Sequence, residues 1–395
     1  MADAEKKSLG FRNVVMLGYV SLFTDLSTEM ILGVLPFFIV TQLGASAAVL
    51  GLIEGSAEAV NNIFRVFAGI LTDRFAKRKP LVLLGYALSS AAKPLFALAT
   101  AWQQAFIVRI VDRAGKGTRT SPRDALISDS VSQGQAGKAF GAHQSLDQVG
   151  AVLGPVLAFL IIPLIGIRGV FWLSFAPAII SLIILLFFVA DSTGLVKQRK
   201  LYENSKDLLR NRNFVFYLAA LGIFSVGAYN FSFILLEAGA LGVNESYIPL
   251  VYAFLNLSTV IIGFPAGILS DRLGKLPVLG LSYLVFMATS ALGIVLTSNP
   301  LYGFMIAFIF GGYMAISDTV QRAIVPDFSK PELKGTAYAI YYTLIGVCAL
   351  IANSVFGSLW TLLNHAAAFE YSLFMSFLGF GALLLFMTRS RLYKR

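Results

Sequence analysis

Along the chain, apolar residues come in long blocks separated by brief polar punctuation. A helix needs about 20 mostly apolar residues to cross the hydrocarbon core of a bilayer. Twelve blocks of that kind begin near Val14, Ala47, Pro80, Gln104, Ala139, Gly169, Phe214, Tyr247, Pro277, Leu301, Thr336 and Phe369. The pattern predicts an all-α membrane protein with 12 transmembrane helices. The first, fifth, seventh and eleventh blocks are long enough to tilt or to project beyond the bilayer.

Composition excludes the soluble alternative. Of 395 residues, 57% are apolar and only 13% charged, about half the charge of an ordinary soluble domain. The single cysteine, Cys348, leaves no intramolecular disulfide, and two histidines, His143 and His365, are too few for a histidine metal cage. No metal and no cofactor are expected. The apolar stretch after the polar, lysine-bearing Met1–Gly10 is longer than the roughly 7 to 15 residues of a cleavable signal core. It is expected to stay as the first span.

The net charge of +10 would suit a nucleic-acid partner in a soluble protein, but in a membrane protein the position of the basic residues carries the information. No nucleic-acid partner is expected. With the N-terminus inside, Arg74, Lys77, Arg78 and Lys79 fall on the cytoplasmic side. So do the cluster from Lys197 to Arg212, then Arg272 with Lys275, and the C-terminal Arg389, Arg391, Lys394 and Arg395. The outer loops keep only Arg168. Both termini are therefore expected in the cytoplasm, in a bacterial-type inner membrane.

The chain also repeats itself at an offset of 198 residues. Gly69-Ile-Leu-Thr-Asp73-Arg74 recurs as Gly267-Ile-Leu-Ser-Asp271-Arg272, and the same shift carries Arg12-Asn13 onto Arg210-Asn211 and Asp129 onto Asp327. One residue is lost after the second arginine and regained later. This predicts two pseudo-symmetric six-helix bundles, residues 1–190 and 213–395, joined by a charged cytoplasmic linker at 191–212, as expected for a transporter built by duplication.

With these residues in view the sequence resembles the major facilitator superfamily over essentially its whole length. The family's signature between spans two and three is matched by Gly69, Asp73, Arg74, Lys77, Arg78 and Lys79; Ala76 stands where glycine is usual, while the second copy keeps Gly274. Gly150-Ala-Val-Leu-Gly154-Pro155 resembles the first part of the family's antiporter element, with Ala158 and Phe159 in place of its trailing glycines. The resemblance implies alternating access and a tilt toward export.

Duplication separates shared tasks from specific ones. Features in both halves, namely Gly69, Asp73 and Arg74 with Gly267, Asp271 and Arg272, and Asp129 with Asp327, are expected to serve gating; Gly154 and Pro155 are added as a rocking point. Features in one half are candidates for transport chemistry, because charge inside a membrane costs roughly 2.5 to 3.5 kcal/mol per residue even on lenient scales. The first span holds Asp25 and Glu29 one turn apart. The second holds Glu54, Glu58, Asn61 and Arg65 within about 60° of each other on one face. The fourth holds Arg109, Asp112, Arg113 and Lys116 as a stripe, and Lys93 in the third and Gln144, Asp147 and Gln148 in the fifth add to it.

In the second half the corresponding face is Tyr252, Asn256, Thr259 and Gly263, without charge. Asp25, Glu29, Asp112, Glu54 and Glu58 are the expected proton carriers. Arg109, Arg113, Lys93, Gln144 and Asp147, with Asn230, Tyr252, Asn256 and Glu237 from the other half, are the expected substrate-contacting groups. The bland reading of the charged set is a static ion-pair network holding helices together. No catalytic constellation is present, so an enzyme is not expected, and the short ends speak against a sensor. The expected function is proton-coupled efflux of a small polar or charged organic compound by a monomer in the bilayer. The alternative is proton symport of an organic anion.

Overall fold

The computed structural model describes residues 2–74, 77–191, 201–330 and 333–389, with the side chains of these except 2–9, 73–74, 133 and 201–204. The described residues form helices and connecting turns. In order these are α1 (Ala2–Leu32), the single turn α2 (Leu35–Phe37), α3 (Ala47–Arg74), α4 (Lys79–Ala92), α5 (Trp102–Asp129), α6 (Ala136–Leu173), α7 (Phe175–Phe188) and α8 (Leu201–Arg210). Then follow α9 (Arg212–Gly227), α10 (Phe231–Ala240), α11 (Ile248–Leu273), α12 (Lys275–Val295), α13 (Pro300–Ile324), α14 (Lys334–Leu362) and α15 (His365–Arg389).

Among the described residues, nine helical segments are long and apolar enough to cross a membrane. One of them, Ala136–Phe188, is 53 residues long and is interrupted at Gly166 (φ 68°, ψ 174°), which makes two crossings of it. The helices α3 and α5, 28 residues each, have the length but carry too much charge to pass on composition. Together these give twelve crossings. Large apolar side chains such as Phe67, Leu164, Phe187 and Phe264 are exposed, the surface a bilayer covers and water does not.

By contacts the chain divides into two compact units, one of Met1–Ile39 with Val60–Arg199 and one of Val40–Ala59 with Lys200–Arg395. In unit 1 the apolar core joins Val14, Leu17 and Val20 of α1 to Val82 and Tyr86 of α4, Leu126 and Ile127 of α5, and Leu185 of α7. Helix α6 lies directly on the backbone of α1. A Cβ on Gly154 would come 2.8 Å from Leu26 O, and one on Gly150 would strike Leu22 O, so only glycine permits that approach.

In unit 2 the core is aromatic. Phe224 stacks on Tyr283 with centroids 3.6 Å apart, and Tyr229, Phe286, Phe310, Phe356 and Phe369 continue the cluster. The seventh crossing is broken between α9 and α10. There Asn230 accepts a hydrogen bond from Ser232 N at 2.9 Å, while its own backbone N–H donates to Asn353 Oδ1 at 2.8 Å. Between α11 and α12, Gly274 sits at φ 90°, where a side chain would be strained.

The sequence repeat is also a repeat of contacts. Asn13 Nδ2 donates to Ser130 Oγ at 3.0 Å, and Asn211 Nδ2 donates to Phe328 O at 3.1 Å, each over a separation of 117 residues. Arg78 pairs with Asp129 at 2.7 Å, and Lys275 pairs with Asp327 at 2.7 Å.

Candidate functional site

The charged residues of unit 1 fall into two groups that differ in access to water. The first is sealed. Asp112 is buried between Arg109 at 3.6 Å and Arg113 at 3.7 Å, and it accepts a hydrogen bond from Ser89 Oγ at 2.6 Å. Lys93, 1% exposed, donates to Ser27 Oγ at 3.0 Å and to Thr24 O at 3.3 Å. The gap among Thr28, Leu32, Lys93, Phe96, Arg109 and Asp112 is too small to admit water. Carboxylate and guanidinium groups here offset one another's charge, and hydroxyls bond the carboxylate and the ammonium group, while Arg109 Nε and Arg113 Nε make no hydrogen bond; buried charge is tolerated when it is paired.

The second group is half-buried. Asp25 of α1 lies within hydrogen-bonding reach of Asp147 of α6, with Lys116 of α5 and Glu29 in electrostatic range. Ser21 Oγ donates to Asp147 Oδ1, and the exposed Gln144 donates to its other oxygen at 3.4 Å. The Gly150 and Gly154 contacts bring α1 and α6 close enough for two carboxylates to meet. Glu29 is buried one turn further along α1.

Other expected residues are placed as follows. Glu54 is buried and Glu58 half-buried, and both have partners; they lie in the part of α3 that belongs to unit 2. In unit 2, Tyr252 stacks on Phe231 at 4.8 Å, Asn256 is buried, and Asn230 serves as the cap of α10. Glu237 is completely buried next to His365, with Nδ1 3.2 Å from Oε2. Among the residues expected to gate, Asp129 and Asp327 close their ion pairs each within its own unit, and Asp271 and Arg272 are exposed. A Cβ at Gly69 would lie 3.5 Å from Ser121 Oγ, and one at Gly267 3.9 Å from Thr319 Cγ2, which are ordinary contacts. The side chains of Asp73 and Arg74, and residues 192–200 of the charged connection, lie outside the described residues.

Comparison with known proteins decides the family. The chain matches the Major Facilitator Superfamily over residues 17–238 and again over residues 218–395. The chain belongs to the major facilitator superfamily. An "Uncharacterized MFS-type transporter" of Methanocaldococcus jannaschii is 31% identical over 388 residues, 95% of each chain. A "Probable 4-methylmuconolactone transporter" of Cupriavidus pinatubonensis is 26% identical over 363 residues, 88% of this chain and 83% of that one. The crystal structure of a single-substitution mutant of the nucleoside transporter NupG superposes with a TM-score of 0.78 at 12% identity, covering 95% of this chain and 99% of that one. This superfamily member is an integral membrane transporter of small molecules and not an enzyme.

Several groups that build the site of this transporter were not singled out from sequence. Ser21, Ser27 and Ser89 supply the hydroxyls that hold Asp147, Lys93 and Asp112, yet serine in an apolar helix is too common to signal a role. Lys116, placed from sequence only in the stripe of the fourth span, stands in range of Asp25 and Glu29. Arg119 lies over the Tyr86 ring at 4.3 Å, a cation–π contact. His143 is buried with Nε2 making no hydrogen bond. Asn353, which fixes the break before α10, carried no sequence signal beyond being an amide in an apolar span.

Proposed function

We propose that this transporter moves a small polar or charged organic compound across a bacterial-type cytoplasmic membrane in exchange for protons, with Asp25 and Asp147 as the proton-exchanging pair. The observation that carries this reading is the meeting of the two carboxylates on α1 and α6, half-buried beside Lys116. Two carboxyl groups at hydrogen-bonding distance can share one proton, which joins the helices. Loss of that proton leaves like charges in contact, and Lys116 is placed to offset one of them. Proton occupancy is thereby linked to helix arrangement, which is what coupling to alternating access requires.

Glu29 is the next carboxylate on the same helix. Asp112, sealed between Arg109 and Arg113, is assigned to holding α5 in place, with Lys93 tying α1 to that cluster. Gln144 of unit 1, and Tyr252 and Asn256 of unit 2, are assigned to contact with substrate. Gly154 with Pro155, and the repeated Asp-Arg pairs, are assigned to gating. The basic clusters support cytoplasmic termini, and the transporter is assigned as a monomer.

Export is favoured by the Gly150-to-Pro155 element, whose glycines sit at the α1–α6 contact that holds the carboxylate pair. Uptake is the second reading, and similarity to the "Probable 4-methylmuconolactone transporter" favours it. The test uses purified protein in vesicles with an imposed pH gradient of either polarity, with 4-methylmuconolactone and ethidium as probes. Asp25→Asn and Asp147→Asn are expected to abolish gradient-driven movement while leaving probe exchange at equal pH. Undiminished gradient-driven transport in both variants overturns the assignment, and the gradient polarity that drives accumulation separates export from uptake.

A further inference from the structure

The charge buried in unit 2 is not explained by an aromatic and amide wall. Glu237 lies in the last turn of α10 with 0% exposure, and neither carboxylate oxygen accepts a hydrogen bond. Beside it is the imidazole of His365, the first residue of α15, with Nδ1 3.2 Å from Oε2 and the side chain 41% exposed. The Trp360 ring flanks that imidazole at 5.8 Å.

What else could compensate Glu237 is decided by the segments around it. Residues 40–59, 231–252, 293–311 and 357–371, which make this end of unit 2, contain no lysine or arginine. The carboxylates they add are Glu54 and Glu58 on α3, the exposed Glu245 before α11, and the exposed Glu370 on α15. Phenols come from Tyr229 ahead of α10, the exposed Tyr247 before α11, Tyr252 on α11, Tyr302 on α13 and Tyr371 on α15. All of these are acids. A carboxylate removed from water is tolerated when a counter-charge stands beside it, and His365 can supply one only while it carries an added proton.

We propose that Glu237 and His365 form a proton-binding site at the end of unit 2 where α15 begins, exchanging its proton with the medium through the exposed imidazole. A proton from water adds to Nε2 as the Nδ1 proton passes to Oε2 of Glu237. The ring is left neutral in its other tautomer and the carboxylate becomes a carboxyl; the reverse transfer returns the proton to water. The two residues belong to unit 2 and the Asp25–Asp147 pair to unit 1, and either assignment can fail without the other.

Only two histidines are present, so the full-length protein carrying His143→Asn has a single imidazole to follow by NMR with histidine labelling. Its titration midpoint is expected to move by about one pH unit or more when Glu237→Gln is added, a change that a histidine resting on the surface does not show. Raising the pH from 6 to 9 is expected to lower Tm by about 3 °C or more in the parent, as the site gives up its proton and leaves a buried, uncompensated carboxylate, and to do so to a smaller extent in Glu237→Gln. An unmoved midpoint overturns the proposal. If Glu237→Gln does not fold, His365→Gln decides through the infrared carbonyl band of a protonated carboxyl, whose titration must differ from that of the parent; identical curves overturn the pairing.

Discussion

The two units are built on the same ties and filled with opposite chemistry. Asn13 and Asn211 reach the same relative position, 117 residues on, and Arg78–Asp129 and Lys275–Asp327 close the same ion pair. Inside that shared frame, unit 1 buries Lys93, Arg109, Asp112 and Arg113, while unit 2 stacks Phe224 on Tyr283 and surrounds Tyr229 with rings. Elements that orient a helix end were kept through duplication, whereas the interior was free to diverge. A charged interior demands that each group find an opposite charge or a hydroxyl at the right distance; an aromatic interior demands only shape and volume.

The largest expected effect lies in the interiors. Removing the carboxylate between two guanidinium groups by Asp112→Ala is expected to cost about 3–5 kcal/mol, and Phe224→Ala a similar amount, about 3–5 kcal/mol, by truncating a buried ring. The conservative variants separate the two kinds of core. Asp112→Asn keeps volume and is expected to cost nearly as much as Asp112→Ala; Phe224→Leu keeps an apolar side chain and is expected to cost less than Phe224→Ala. Denaturant unfolding in detergent measures all four, and a neutral Asp112→Asn breaks the comparison.

The next effect should be equal in both units. Asn13→Ala and Asn211→Ala each remove an amide that ties its helix to a distant hydroxyl or carbonyl, and each is expected to cost about 1 kcal/mol. A Tm difference between these two variants larger than either change from wild type means that the repeated contact does different work in the two units. The smallest effect belongs to the partly exposed ion pairs. Arg78→Ala and Lys275→Ala are expected to cost less than about 1 kcal/mol each, with the loss shrinking as salt is raised. A salt-independent loss at either site shows that the residue acts through packing.

Much of the fold was legible because crossing a bilayer is a local demand. The expected block starts at Ala47, Pro80, Gln104, Phe214, Pro277, Leu301 and Thr336 fall within two residues of the helix starts at Ala47, Lys79, Trp102, Arg212, Lys275, Pro300 and Lys334. The break of the seventh crossing was not legible, since it depends on an amide, Asn353, that is distant in sequence. The end of the fifth crossing at Gly166 falls beside the expected outer loop at Arg168 and the block start at Gly169. For the candidate site, the crowding of charge into the first half of the chain was plain, but which carboxylate is sealed and which is half-open was not.

The sequence by itself determined the number of crossings, the duplication and the family, because hydropathy and repeated motifs act within one helix or one loop. Only the tertiary structure decided that Asp112 is buried against Ser89 of α4, that Asp25 meets Asp147, and that Glu237 is buried against His365. The environment of a charge is set by side chains arriving from other helices, and their approach depends on backbone contacts such as those at Gly150 and Gly154, which no spacing along the chain encodes.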